Sequence, residues 1–137
     1  MLSTFLALAL QFSTPALDAD YRTFNCAEPM TQSDMNACEE IGFQRADLEL
    51  NAVWRDAIAG ARASDRELDR STDTRPTYEA VLRAAQRAWL TFRDQHCTCQ
   101  AYGEARGGTM EPMSYSACRA TLTRQRILQL RGDETEH

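Results

Sequence analysis

Five cysteines and two histidines are the residues of this chain best suited to chemistry, and their positions decide which chemistry is open. His96, Cys97, Cys99 and Cys118 combine an imidazole with thiolates, a donor set that suits zinc or copper. Cys97 and Cys99 could instead serve as a thiol-redox pair. Both uses need free thiolates, and oxidation to disulfides would remove them. Nucleophilic catalysis needs a Ser or Cys beside a base that a third group orients. His137 lies in the terminal segment, no serine sits in a strand-turn-helix motif, and no carboxylate pair stands out among the twenty acids. The expectation is a protein that is not an enzyme, with no metal site and no cofactor.

The number of cysteines speaks to the compartment. Five in 137 residues are many for a reduced cytosolic protein and suit an oxidising one. The first residues agree: an apolar run from Phe5 to Phe12 is followed by Ser13-Thr14-Pro15 and small residues, as in a secretory signal peptide. The run is shorter than the roughly 20 apolar residues that anchor a helix in a bilayer. A leader over residues 1–19 is expected, cut after Ala16 or Ala19, leaving a periplasmic or secreted product with no stable membrane insertion. No cysteine at the end of the run offers a lipid attachment point. The net charge of −5 and pI near 5.0 speak against nucleic acid as a partner, because phosphate-backbone binding needs clustered positive charge.

Chain patterning then supplies the elements. Thr31-Gln32-Ser33-Asp34 has the form of a capping box with Asp in place of Glu, and Met35, Cys38, Gly42, Ala46, Leu50, Val53 and Ala57 follow at helical steps. A helix over about 31–61 is predicted. Residues 62–75 are polar and aperiodic, and read as a loop. Pro76 suits the first position of a second helix, about 76–98, whose stripe of Tyr78, Leu82, Ala85, Trp89, Phe92 and His96 is the strongest in the sequence. Gly103, Gly107, Gly108 and Pro112 predict an irregular loop over 100–113. A third helix spans about 114–131, and 132–137 is expected to be a disordered tail. The fold class is all-α: a small antiparallel bundle of three main helices in one domain, residues 20–131.

Two sets of polar residues stand out against this frame. Asp47, Asn51, Gln86, Arg93 and Asp94 lie near the apolar stripes and read as a structural network, with Asp47 reaching Arg93 across the helix pair. Trp89 and Phe92 are expected in the core, and His96 at a helix end under the loop. At the tip of that loop, Arg106, Gly107, Gly108 and Thr109 are the candidate partner-binding residues, since glycines let another backbone come close. The same glycines would also serve simply to make the turn.

Several blocks together carry a family likeness: Cys26, Thr31 through Cys38 and Ala46-Asp47-Leu48-Glu49-Leu50-Asn51; then Ala85 through Trp89, Phe92-Arg93-Asp94 and Cys97; then Gly107-Gly108-Thr109, Tyr115, Cys118 and Leu122-Thr123. In this order they resemble the lysozyme inhibitor LprI N-terminal-like domain family, over about Cys26 to Leu130. The resemblance implies an exported helical protein with Cys26 joined to Cys38 and Cys97 to Cys118. Cys99 departs from the pattern, and is either unpaired or a competitor for Cys118. By the same resemblance the function would be lysozyme inhibition; charge and shape then suggest an acidic surface that draws in a basic lysozyme while the Gly-rich loop blocks its cleft, with Arg106 or Thr109 facing the catalytic carboxylates. The alternatives are a structural or interaction module that binds another protein of the cell envelope and, more weakly, a thiol-redox or metal-binding protein.

Overall fold

Thr14 caps a helix that the sequence reading does not contain. Its hydroxyl accepts from the Leu17 amide at 3.2 Å, and Pro15 takes the first helical position, where a missing N–H costs nothing. In the computed structural model, which describes residues 12–132, this opens α1 (Pro15–Thr23). Pro15 punctuates the chain as expected, but as a start and not as a break. Residues 5–11 of the apolar run and 133–137 of the expected tail lie outside the described residues.

Three longer helices follow: α2 (Gln32–Arg66), α3 (Tyr78–Ala105) and α4 (Glu111–Arg131). The architecture is all-helical, with four helices where three main ones were expected. Thr31 caps α2 by accepting from the Asp34 amide at 3.0 Å, the threonine half of the capping box that the sequence suggests. The other boundaries move. Ala61, Arg62, Ala63 and Ser64 tolerate a helix well and no Gly or Pro intervenes, so α2 continues to Arg66. Thr77, not Pro76, begins α3: its hydroxyl accepts from the Ala80 amide at 3.2 Å. Asp65 on the last turn of α2 adds a second cap, accepting from the Tyr78 and Glu79 amides at 2.7 and 3.1 Å.

Gly103 lies inside α3, which runs to Ala105, and Pro112 sits in the first turn of α4. The expected loop over 100–113 therefore shrinks to the five residues 106–110. One interior glycine costs a helix only about 1 kcal/mol, less than the tertiary packing of the turns around it returns.

Side-chain pairs give the directions. Asn36 reaches Thr109, Glu40 reaches Arg119 and Glu49 reaches Arg131, so α2 and α4 run the same way. Arg62 meets Glu79 while Asp47 meets Arg93, and Cys97 is joined to Cys118 while Gln86 meets Arg126, which sets α3 antiparallel to both. Helix α4 packs along α2 and α3, which touch each other less. The apolar centre is Leu50, Val53 and Ile127, with Trp89 and Leu130 against it.

Only part of the stripe expected to bury α3 does so: Trp89 packs against the core and Leu82 is half-buried, but the rest faces out. Phe92 is 56% exposed and Tyr78 58%, and His96, in mid-helix, is exposed and stacked on Phe92 at 5.2 Å. Instead α3 turns Gln86, Arg93, Cys97 and Ala101 inward. A face holding Gln and Arg is invisible to hydrophobic periodicity. It can be buried because each polar head finds a partner there.

Candidate functional site

Arg93 is only 6% exposed. Its Nε donates to Asp94 at 2.9 Å and its Nη1 donates to the Thr123 hydroxyl at 3.4 Å, with Asp47 at 3.7 Å. Its guanidinium also lies over the rings of Phe43 and Trp89, 5.0 and 5.2 Å from their centroids. From there the pattern extends both ways. Arg119 lies over the ring of Phe43 at 3.9 Å and over that of Tyr115 at 4.1 Å, and Arg126 approaches Trp89 at 5.9 Å. Arginines and aromatic rings thus alternate across three helices, from Arg126 through Trp89, Arg93, Phe43 and Arg119 to Tyr115.

Carboxylates lie along the rim of this ladder. Glu40 takes hydrogen bonds from Arg119 at 2.6 Å and from Ser116 at 2.7 Å. Arg126 differs: it donates to Gln86 at 2.9 Å and Gln129 at 3.2 Å, both neutral amides, and burial lowers its pKa. Planar guanidiniums are suited to such stacking and lysines are not. Of the five polar residues singled out in the sequence, the structure joins Asp47, Arg93 and Asp94 in one cluster and Gln86 to Arg126. Asn51 is exposed, with no side-chain hydrogen bond among the described residues. Glu40, Phe43, Tyr115, Arg119 and Arg126 were not foreseen; Phe43, an aromatic off the main α2 stripe, was the available sign.

The disulfides fix the ends and the middle. Cys26–Cys38 ties the segment after α1 to the first turns of α2, and Cys97–Cys118 bridges α3 to α4, with Cα separations of 5.4 and 5.5 Å. The second lies between helices, with Cys97 fully buried. Cys99 is free and exposed. Since Cys97 is bonded to Cys118, the thiol pair on which a redox or metal reading depended is not formed. No group of three or more His, Cys, Asp and Glu positioned for a metal ion occurs among the described residues.

At one end of the bundle, the exposed turn 106–110 joins α3 to α4. Gly107 has φ +76°, the left-handed conformation that favours glycine. Asn36 donates to the Thr109 carbonyl at 2.9 Å, bracing the turn against α2, and Arg106 stacks over Tyr102 at 4.5 Å. At the other end, a groove with a cavity volume of about 1090 Å³ opens between α2, α3 and α4, with Val53, Leu82, Leu130 and Arg126 among its walls.

The profile of the family described as lysozyme inhibitor LprI matches residues 25–130, most of the chain. The protein belongs to the LprI family. An uncharacterised protein of Rhizobium meliloti (strain 1021) is 40% identical over 129 residues, covering 92% of this chain and 89% of the relative. No solved structure matches. Both disulfides lie within the LprI match, and so does the whole arginine–aromatic ladder. Helix α1 lies outside it. Among the described residues no helix is long and apolar enough to cross a membrane.

Proposed function

We propose that this protein is an exported lysozyme inhibitor that acts by binding, with the α3–α4 turn as the part that enters the lysozyme cleft. The observation that carries the reading is the match to the lysozyme inhibitor LprI family over residues 25–130. Two disulfides fit an oxidising compartment such as the periplasm or the extracellular space. A net charge of −5 favours encounter with a basic enzyme. The turn suits a cleft because it is short and held in place. Asn36 braces it, two helices lead into it, and Gly107 presents bare backbone. A preorganised tip loses little entropy on binding. In this reading Arg106 meets the acidic catalytic residues of the enzyme.

The test is hydrolysis of bacterial cell walls by lysozyme with the purified oxidised protein in excess. Inhibition is expected, weakened at least about tenfold by Arg106→Glu, a charge reversal at an interface rim worth on the order of 1.4 kcal/mol or more. Unchanged hydrolysis with the wild type overturns the inhibitor reading. Inhibition untouched by both Arg106→Glu and Gly107→Ala overturns the role of the turn.

A further inference from the structure

One edge of the stripe that the sequence marks for burial on α3, at Tyr78, Ala85 and Phe92, is left open by the bundle, and the exposed face it belongs to has the pattern of a helix seam. Positions 78, 81, 85, 88, 92, 95, 99 and 102 recur at alternating three- and four-residue steps over four heptads, and all of them are exposed. Tyr78, Val81, Phe92 and Tyr102, exposed by 58, 55, 56 and 46%, lie on this line. A repeat of 3.5 residues keeps one face of a helix turned toward a supercoiled neighbour, which a single bundle face does not require.

Charge follows the same heptad. Helix α3 holds six charged residues, Glu79, Arg83, Arg87, Arg93, Asp94 and Glu104. None falls on the seam or at the two heptad positions that flank it. In a chain that is 26% charged, this leaves an open strip about 42 Å long to which α3 contributes no acid or arginine; Arg106 stacks over Tyr102 at one end, and Arg75 and Arg126 share the groove lined by Tyr78, Val81 and Ala85 at the other. Such a strip lets two molecules of the same net charge meet without like charges facing each other. Area points the same way: the three exposed rings, about half open, offer roughly 300 Å². That is over a third of the about 800 Å² per partner in a standard interface.

We propose that a second copy of this chain packs its α3 in parallel against this face, forming a two-stranded coiled coil about a twofold axis. Parallel pairing puts each seam residue opposite itself, Phe92 on Phe92 and Gln95 amide on Gln95 amide. It also puts the chain's free Cys99 opposite its own copy. Helix axes about 8–10 Å apart, with Cα atoms on radii of about 2.3 Å, bring such pairs to about 3.4–5.4 Å at closest, a range that overlaps what a disulfide spans. Oxidised glutathione can then close the bond: two Cys99 thiols give up two protons and two electrons, one S–S bond forms, and the glutathione disulfide is reduced to two thiols. The dimer presents both α3–α4 turns at the same end, and stands whether or not lysozyme is the target.

Sedimentation equilibrium of the purified oxidised protein tests this directly. The wild type is expected at twice the chain mass, and Phe92→Arg at the single-chain mass with unchanged helical circular dichroism, since Phe92 is 56% exposed and its ring stacks only on the exposed His96 among the described aromatic pairs. Two arginines facing across the axis weaken association by about 100-fold or more. Incubation with oxidised glutathione should give a cross-linked pair on a non-reducing gel with the wild type and none with Cys99→Ser. A wild type that stays single at high micromolar concentration overturns the proposal, as does a dimer that survives Phe92→Arg and Val81→Arg. A dimer whose Cys99 residues do not cross-link overturns the parallel register.

Discussion

Phe43 lies between two guanidiniums, Arg93 at 5.0 Å and Arg119 at 3.9 Å. The three side chains come from three helices, so each residue is held by contacts the others make. Removing Arg93 would take away its packing against two rings and its bond to Thr123, which is fully buried. Arg93→Ala is expected to cost about 2–4 kcal/mol in urea unfolding, in the range of breaking buried polar and packing contacts together. Arg119→Ala should cost somewhat less, because Glu40 is 39% exposed and regains water. The double variant decides whether the ladder acts as a unit: a coupling of about 0.5 kcal/mol or more is expected through the shared Phe43, whereas strict additivity would mean that the two arginines stabilise the bundle independently.

At the scale of elements, what the sequence reveals depends on whether a boundary is written in local chemistry. The start of α2 is legible because Thr31 and Asp34 cap it, and the end of α4 because Gly132 takes φ +77° after the last turn. The start of α3 is capped by Thr77 and also by Asp65, a residue of the preceding helix, and no local pattern announces the second cap. The inward face of α3 is hidden for a similar reason, since Gln86 and Arg93 are buried by partners on α2 and α4. The turn at 106–110 was found but placed in too long a loop, because glycine frequency alone does not tell a helical Gly103 from the left-handed Gly107. Two expectations follow for the links between elements. Replacing Cys97 and Cys118 together by alanine should destabilise the protein by about 3 kcal/mol through the freed 21-residue separation, read from urea or thermal unfolding. In the loop between α2 and α3, Arg75 donates to Asp73 through its side chain and backbone, which lowers that carboxyl from 3.8 to about 2. A depressed folded pKa stabilises above the unfolded value, and the contribution fades as pH falls from about 3.8 through about 2. Carboxyl NMR should find Asp73 still ionised at pH 3, and Arg75→Ala should return it toward 3.8.

Over the whole molecule, the two surfaces proposed for association and binding, the α3 seam and the α3–α4 turn, differ in charge and adjoin where Arg106 stacks over Tyr102. The α3 seam carries no acid or arginine, whereas the turn carries Arg106 on a body of net charge −5. An acidic protein that recognises a basic enzyme draws it in through the long-range field, while the contacts in the cleft hold it. These two contributions separate by ionic strength. The field between exposed charges is screened over about 10 Å at 0.1 M salt and about 3 Å at 1 M, but short-range packing and hydrogen bonds at the tip are barely affected. Binding of the oxidised protein to immobilised lysozyme should therefore lose at least about tenfold in association rate between 0.05 and 1 M salt, by the usual scale of electrostatic steering, with a dissociation rate changed by much less. Arg106→Glu should reverse the division: the dissociation rate rises because the tip contact is lost, while the association rate holds or increases as the protein becomes more acidic. An association rate indifferent to salt would assign the encounter to shape alone. A dissociation rate unmoved by Arg106→Glu would take the contact away from the turn and toward the groove at the opposite end of the bundle, where Arg126 bonds only neutral amides among the described residues.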